Sequence, residues 1–420
     1  MALALMLGIT LPVALYRNIP NGWVLDYPQY YMGGTIAIHG EWQDLYPIPK
    51  PGSMLNPGHV TESTKRPAYA RLAEERHVPE SHRFIQLPPV ALMLIPNALM
   101  PYNVSIVVWI IFCAVCAWGA AWMAGHFYEL LIQKESWMSG VITLGIVLLP
   151  STRRSLNSGN FTPIVAFLLS LCIWSLFKRK NVRFATWALI AGLMKYVSVI
   201  FGPILVAMRR WKALAWLAGM GIASILISIA IMGTGPFIAF KEIFALTNRP
   251  WLDKSNDFYN QAIWSFVFDF VQQNPLPPNV THAIQALQLF TLAGLFGLMA
   301  RRKPNDWADP SQVIAATASM ICWLLLFSPI YWPHYILYLT PLIGWLVWEA
   351  RQTILSRVLA IAAIVFISGP YMNVDYGLLS LKHAPLNYYG MWAAVLVMIL
   401  SVRRLLLKPV PQEAVGIPNK

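Results

Sequence analysis

Ten apolar segments, several of them joined by short loops rich in lysine and arginine, constrain this chain more than any single motif. Windows long enough to cross a hydrocarbon core of about 30 Å fall near residues 1–16, 104–125, 136–151, 160–177, 213–233, 282–300, 312–328, 335–350, 353–370 and 389–402. The runs are continuous, not alternating, so they read as helices and not barrel strands. With 57% hydrophobic and 12% charged residues and a mean hydropathy of +0.54, a water-soluble globule of this length could not bury its apolar surface. The expectation is an all-α polytopic membrane protein, a single integral membrane domain over 1–420 with roughly ten to thirteen membrane helices. The first segment is short, about 24 Å as a helix, and lacks a basic leader. It is expected to be an uncleaved membrane helix.

The net charge of +13 does not point to nucleic acid, because the excess sits in short loops. Lys178-Arg179-Lys180 with Arg183, Arg209-Arg210 with Lys212, Arg301-Arg302-Lys303, Arg351 with Arg357, and Arg403-Arg404 with Lys408 mark one membrane face, the cytoplasmic one by the positive-inside rule. All four cysteines (Cys113, Cys116, Cys172, Cys322) fall in apolar runs. The Cys113/Cys116 pair has no charged neighbour to activate a thiol, so packing is expected, with no disulfide and no metal site.

The stretch 184–208 lies between two basic clusters. A single crossing would put them on opposite faces, whereas two short helices broken near Lys195 keep both on one face and bring that ammonium to mid-membrane depth. Three segments are left on the other, exoplasmic side: 17–103, 234–281 and 371–388. The first is too long for a connector. Its apolar piece from 84 to 100, opened by Pro88-Pro89, is expected to be a helix on the interface. No internal repeat, Gly-rich phosphate loop or Rossmann pattern is present, so an activated donor, if there is one, is expected to be embedded in lipid.

Against this apolar background a few polar groups stand out. Asp26, in Asp26-Tyr27-Pro28-Gln29-Tyr30-Tyr31, is a carboxylate just outside the membrane with aromatics beside it. It could act as a general base at the interface, or simply cap a helix that Pro28 begins. His334, closing Ser328-Pro329-Ile330-Tyr331-Trp332-Pro333-His334, could orient a base or touch a phosphate, or serve with Trp332 as an interfacial anchor. Arg153 and Arg154 lie on the side the orientation rule disfavours, which suggests phosphate binding by guanidinium forks, with solvated arginines the alternative. Gly159-Asn160 offers close approach and amide hydrogen bonds at a helix start. Lys195 needs a partner inside apolar sequence, either a ligand phosphate or backbone carbonyls at the helix break.

Taken in order, these pieces resemble glycosyltransferase family 87, membrane enzymes of the GT-C architecture that use a polyprenyl-phosphate sugar. Asp26 to Tyr31 with Gly40 and Leu45-Tyr46 is similar to the family's acidic-aromatic opening, and Phe84 with Pro88-Pro89 to its aromatic-Pro-Pro segment. Gly159-Asn160, Ala191-Gly192 with Lys195, Asn260-Gln261, and Ser328-Pro329 through His334 are similar to its later steps. Tyr196 and Ala262 depart from the pattern, standing where the family often has proline or a small residue, and serine.

The resemblance implies a hexose transfer, of mannose in α linkage, from polyprenyl phosphate to a glycolipid or glycan acceptor at the exoplasmic face of the plasma (inner) membrane. Asp26 would be the base and His334 would assist it. Arg153, Arg154 and Lys195 would hold the donor phosphate, with Tyr27, Tyr30, Tyr31, Asn160, Asn260, Gln261 and Trp332 around the substrates. No cofactor is expected, since the lipid-linked donor is itself a substrate, and neither nucleic acid nor an obligate protein partner. A lipid-linked polysaccharide polymerase or ligase, and a lipid or sugar transporter, are the alternatives. The first would be expected to centre on a large late loop, and the second gives no reason for the long loop that carries Asp26.

Overall fold

The computed structural model describes residues 26–49, 63–79, 83–247, 261–271, 276–329, 331, 333–368 and 388–408. The apolar segment 1–16, nearly all of 371–388, Asn260 and Trp332 lie outside them. The described chain is helical apart from one antiparallel pair of two-residue strands, β1 (Ile48–Pro49) and β2 (Ser63–Thr64).

The first extramembrane segment is built around α1 (Tyr27–His39). Pro28 suits its first turn because the missing N–H would have no helical partner there. Gly40 ends the helix in the left-handed region at φ 69°, where a Cβ would be strained. Residues 27–37 are all buried, packed against α2 (Pro67–Glu75), α3 (Pro88–Met93) and α4 (Ile95–Ala98). Gly33 and Gly34 permit this: a Cβ on either would overlap the Phe84 ring or the Leu94 carbonyl. The 84–100 piece is two short helices, not one, since Pro96 has no N–H to continue the ladder past Leu94.

The membrane body follows as α5 (Tyr102–Ile132), α6 (Trp137–Val147), α7 (Pro150–Ser158), α8 (Thr162–Phe177), α9 (Asn181–Lys195), α10 (Phe201–Ala207), α11 (Trp211–Met232), α12 (Gly235–Thr247), α13 (Ile263–Val271), α14 (Pro278–Ala300), α15 (Pro310–Phe327), α16 (Ile343–Glu349), α17 (Ile354–Ser368) and α18 (Tyr389–Leu406). Five of these, α5, α11, α14, α15 and α18, are long and apolar enough to cross a membrane. The protein is an all-α, multi-pass membrane protein. Burial sorts the spans: 89% of the apolar window of α15 is buried against 6% for α11 and 17% for α14, so α15 is the central post and the other two present apolar surface to lipid.

Two expected spans are interrupted. The 136–151 window splits into α6 and α7, the latter opened by Pro150. The 335–350 window is a 3₁₀ stretch over Pro333–Leu342, with Pro341 inside it, continued by α16. There the backbones meet closely, because a Cβ on Gly344 would overlap the Ala124 carbonyl oxygen of α5. The lysine segment is interrupted too: α9 stops at Lys195, Tyr196 takes φ 50°, and a 3₁₀ turn over Val197–Ile200 leads into α10. The Ser198 hydroxyl donates to the Ala188 carbonyl, which folds that turn back along α9.

The basic loops gather at one end. Arg210 donates to the Leu176 carbonyl at 3.1 Å, Arg302 to the Leu407 carbonyl at 2.8 Å, and Arg351 to the Tyr128 hydroxyl at 2.9 Å. Arg404 is buried with Asp309 at 3.3 Å and Glu349 at 3.9 Å, and Arg403 reaches Glu349 at 3.5 Å. Without these cations the two buried carboxylates would face a large desolvation cost. All four cysteines are buried free thiols.

Candidate active site

The site begins where α1 meets the end of α7. Gly159, at φ 63°, terminates α7, and its carbonyl accepts from the Trp109 indole at 2.7 Å. The Ser158 carbonyl accepts the Asp26 N–H at 3.0 Å, so the first residue of the Asp26 motif is pinned to a different part of the chain. Gln29 donates to Asp26 Oδ1 at 3.4 Å. Asp26 makes no side-chain cap to α1, so capping is not what holds its carboxylate there.

Asn160 is completely buried and its amide serves the backbone and its neighbours. Its Oδ1 accepts from Ser155 at 2.9 Å and from the Thr162 N–H at 2.8 Å, while Nδ2 donates to Ser158 at 2.7 Å. It shapes the turn into α8 that carries Ser158. Tyr27 and Tyr31 are likewise buried, with hydroxyls directed to Ser105 and, at 2.8 Å, to the Met100 carbonyl. Tyr30 differs. Its ring stacks on Phe161 with centroids 4.0 Å apart, and burial, then the Asp26 charge and Tyr335, push its phenol well above the ordinary value. It stays a neutral donor beside the carboxylate.

Helix lengths fix the depth of this cluster. The 16 residues of α8 carry the chain roughly 24 Å from Asn160 to the basic loop at Lys178. The 15 residues of α9 then return roughly 22 Å to Lys195, so Asp26 and Lys195 occupy the end of the bundle opposite the arginine-rich loops. Lys195 Nζ donates to the Tyr335 hydroxyl at 3.1 Å and lies 5.2 Å from the centre of that ring. The Asp26 carboxylate and Tyr335 both act electrostatically on the ammonium. The edge of His334 meets Tyr335 with centroids 4.7 Å apart, and the charges of Lys195 and Arg154 both bear on its imidazole. Asp26, Lys195 and His334 are partly accessible and Arg154 is exposed. The arrangement sets a carboxylate within electrostatic reach of the Lys195 ammonium, with a second cation, Arg154, bearing with it on His334.

Arg153 is half-buried on the same helix as Arg154, but none of these contacts includes it. Gln261 is buried: its N–H donates to the Tyr331 carbonyl at 2.7 Å and its Oε1 accepts the Gly390 N–H at 3.1 Å. It ties the 261 segment and α18 to the stretch that carries His334. Tyr335 is the group that sequence reasoning missed. An aromatic at a membrane edge reads as part of the aromatic belt, and only its place next to His334 could have singled it out.

The sequence profile of glycosyltransferase family 87 matches residues 84–329, more than half of the 420 residues. The chain belongs to glycosyltransferase family 87. A comparison with curated proteins returned no match. As a family 87 protein it is a membrane glycosyltransferase. The matched interval contains Arg153, Arg154, Asn160, Lys195 and the Asn260-Gln261 step; Asp26, His334 and Tyr335 lie outside it.

Proposed function

We propose that this family 87 enzyme transfers a hexose, mannose by the family resemblance, from a polyprenyl-phosphate donor to a glycolipid or glycan acceptor on the exoplasmic side. The observation that carries this reading is the convergence of Asp26 with Lys195, Tyr335, His334 and Arg154 at the end of the bundle away from the basic loops. Asp26 takes the proton of an acceptor hydroxyl. The oxygen forms its bond to the anomeric carbon as the bond from that carbon to the phosphate oxygen breaks, and polyprenyl phosphate departs with the electron pair. Lys195, positioned by Tyr335, and Arg154 stabilise the charge that grows on the departing phosphate. Being some 20 Å along α9 from the basic loops, Lys195 has the depth at which a phosphate on a lipid chain would sit.

The test is transfer by the purified protein in lipid nanodiscs, supplied with radiolabelled polyprenyl-phosphate mannose and a panel of membrane glycolipids. Label should pass to an acceptor from this donor and not from a nucleotide sugar. Label passing only from a nucleotide sugar, or a whole glycan block passing from a pyrophosphate carrier, would overturn the donor assignment.

A further inference from the structure

Three basic loops far from the active site enclose a cavity of about 330 Å³ at the arginine-rich end. Its wall includes Arg179, from the turn after α8, Arg209 and Arg210, from the turn before α11, and Trp307, from the 3₁₀ stretch Pro304–Ala308. Among the described residues no carboxylate lines it. Arg179 and Arg209 each hold φ 54°, a left-handed conformation that non-glycine residues rarely adopt. Burial and the neighbouring Arg179 charge keep the Arg210 guanidinium below its ordinary value. Arg179 and Arg209 are exposed and Arg210 is half-buried, so the three charges present a positive face that an anion entering the cavity relieves.

Two further features have the same sign. The cavity lies at the N-termini of α9 and α11, where Asn181 and Trp211 begin helices of 15 and 22 residues, and the positive ends of both dipoles favour an anion. Trp307 is 97% buried, yet its indole N–H has no hydrogen-bond partner among the described residues, and an unmatched buried donor is costly. Asn181, another residue of the wall, has a buried Oδ1 without a donor among the described residues. An occupant that satisfies both carries anionic oxygens together with a hydroxyl.

We infer that this cavity is a binding site for a phosphate-centred anion with an adjacent hydroxyl, separate from the donor site at the opposite end of the bundle. Guanidinium forks match phosphate oxygens. The basic end of a membrane protein meets such groups either as lipid headgroups, phosphatidylglycerol being one with a hydroxyl, or as phosphate from solution.

Purified protein in a neutral detergent is titrated separately with labelled phosphatidylglycerol, labelled phosphatidylcholine and inorganic phosphate, reading equilibrium binding and thermal shift. Saturable phosphatidylglycerol binding near one per chain is expected, at least tenfold tighter than phosphatidylcholine. The double variant Arg179→Gln/Arg209→Gln should weaken it at least tenfold and Trp307→Phe severalfold, while Lys134→Gln, an exposed charge outside the wall, leaves it unchanged. A response to inorganic phosphate with the same dependence on the variants supports the site with a soluble occupant, and no such response assigns it to the lipid. Trp307→Phe keeps an aromatic ring and removes the N–H with part of the indole's volume, so with its folding checked by thermal shift it remains informative if the double variant folds poorly. Equal binding of phosphatidylcholine, or binding of both anions that neither variant weakens twofold, overturns the inference.

Discussion

At the scale of single residues, the proposed chemistry separates into a base and a set of phosphate contacts that can be removed one at a time. Asp26→Asn keeps the size of the side chain and the backbone bond to Ser158. It should fold and bind donor normally but lose turnover by at least about a hundredfold, since general-base contributions commonly reach 10² to 10⁴. Near-normal transfer by the purified variant would dismiss Asp26 as the base. The Lys195–Tyr335 contact makes a second prediction. Lys195→Met should weaken binding of polyprenyl phosphate by about 1.5–3 kcal/mol and Tyr335→Phe by about 1 kcal/mol, the ranges for charged and neutral hydrogen bonds. If Tyr335 works through the ammonium, the double variant is no worse than Lys195→Met alone, whereas additive losses in the binding cycle would mean Tyr335 contacts the donor independently.

Among helices, close packing and ionic ties bear on stability in ways that differ from site to site. Gly344→Ala presses a methyl group against the Ala124 carbonyl, and a backbone atom within α5 cannot swing aside as a side chain can. A loss of about 1–3 kcal/mol is expected from overpacking. Gly294→Ala on lipid-facing α14, where a Cβ meets nothing within 4 Å, should be neutral or gain up to about 1 kcal/mol from helix propensity. Thermal unfolding of the two variants in the same detergent compares them directly, and an equal response would refute the packing argument. The buried Arg404 tie is a third case: Arg404→Met removes a guanidinium shared by Asp309 and Glu349, while Arg403 still reaches Glu349, and breaking such a buried tie costs up to about 3–5 kcal/mol.

For the molecule as a whole, the placement of charge defines two ends with different duties. The arginine loops meet at one end through Arg210, Arg302 and Arg351, and the Asp26–Lys195 cluster occupies the other, separated by the length of α8 and α9. A cysteine at Glu75, exposed on α2, and one at Arg183, exposed on α9, should therefore react from opposite sides of a sealed membrane with a thiol reagent that cannot cross it. The four native thiols are buried and contribute little background. Labelling of both positions from the same side would contradict the two-ended arrangement.

Much of this architecture was already legible in the chain, because lipid permits few solutions: long apolar runs must become helices, and basic loops must share a face. The same logic located a break near Lys195, and the ordered motifs pointed to the glycosyltransferase family. What the sequence could not determine is how polar side chains are spent. Asn160, Gln261, Tyr27 and Tyr31 have the residue types of a binding site, yet their donors and acceptors are taken up by partners such as Thr162, Gly390, Ser105 and Met100. Those partners come from turns and distant segments that meet only after packing. Tyr335 acquires its place beside Lys195 in the same way, across 140 residues of chain. Apolar periodicity and charge sidedness are local properties that the membrane imposes, whereas a hydrogen-bond partner is a property of the folded neighbourhood, and tertiary structure alone decides it.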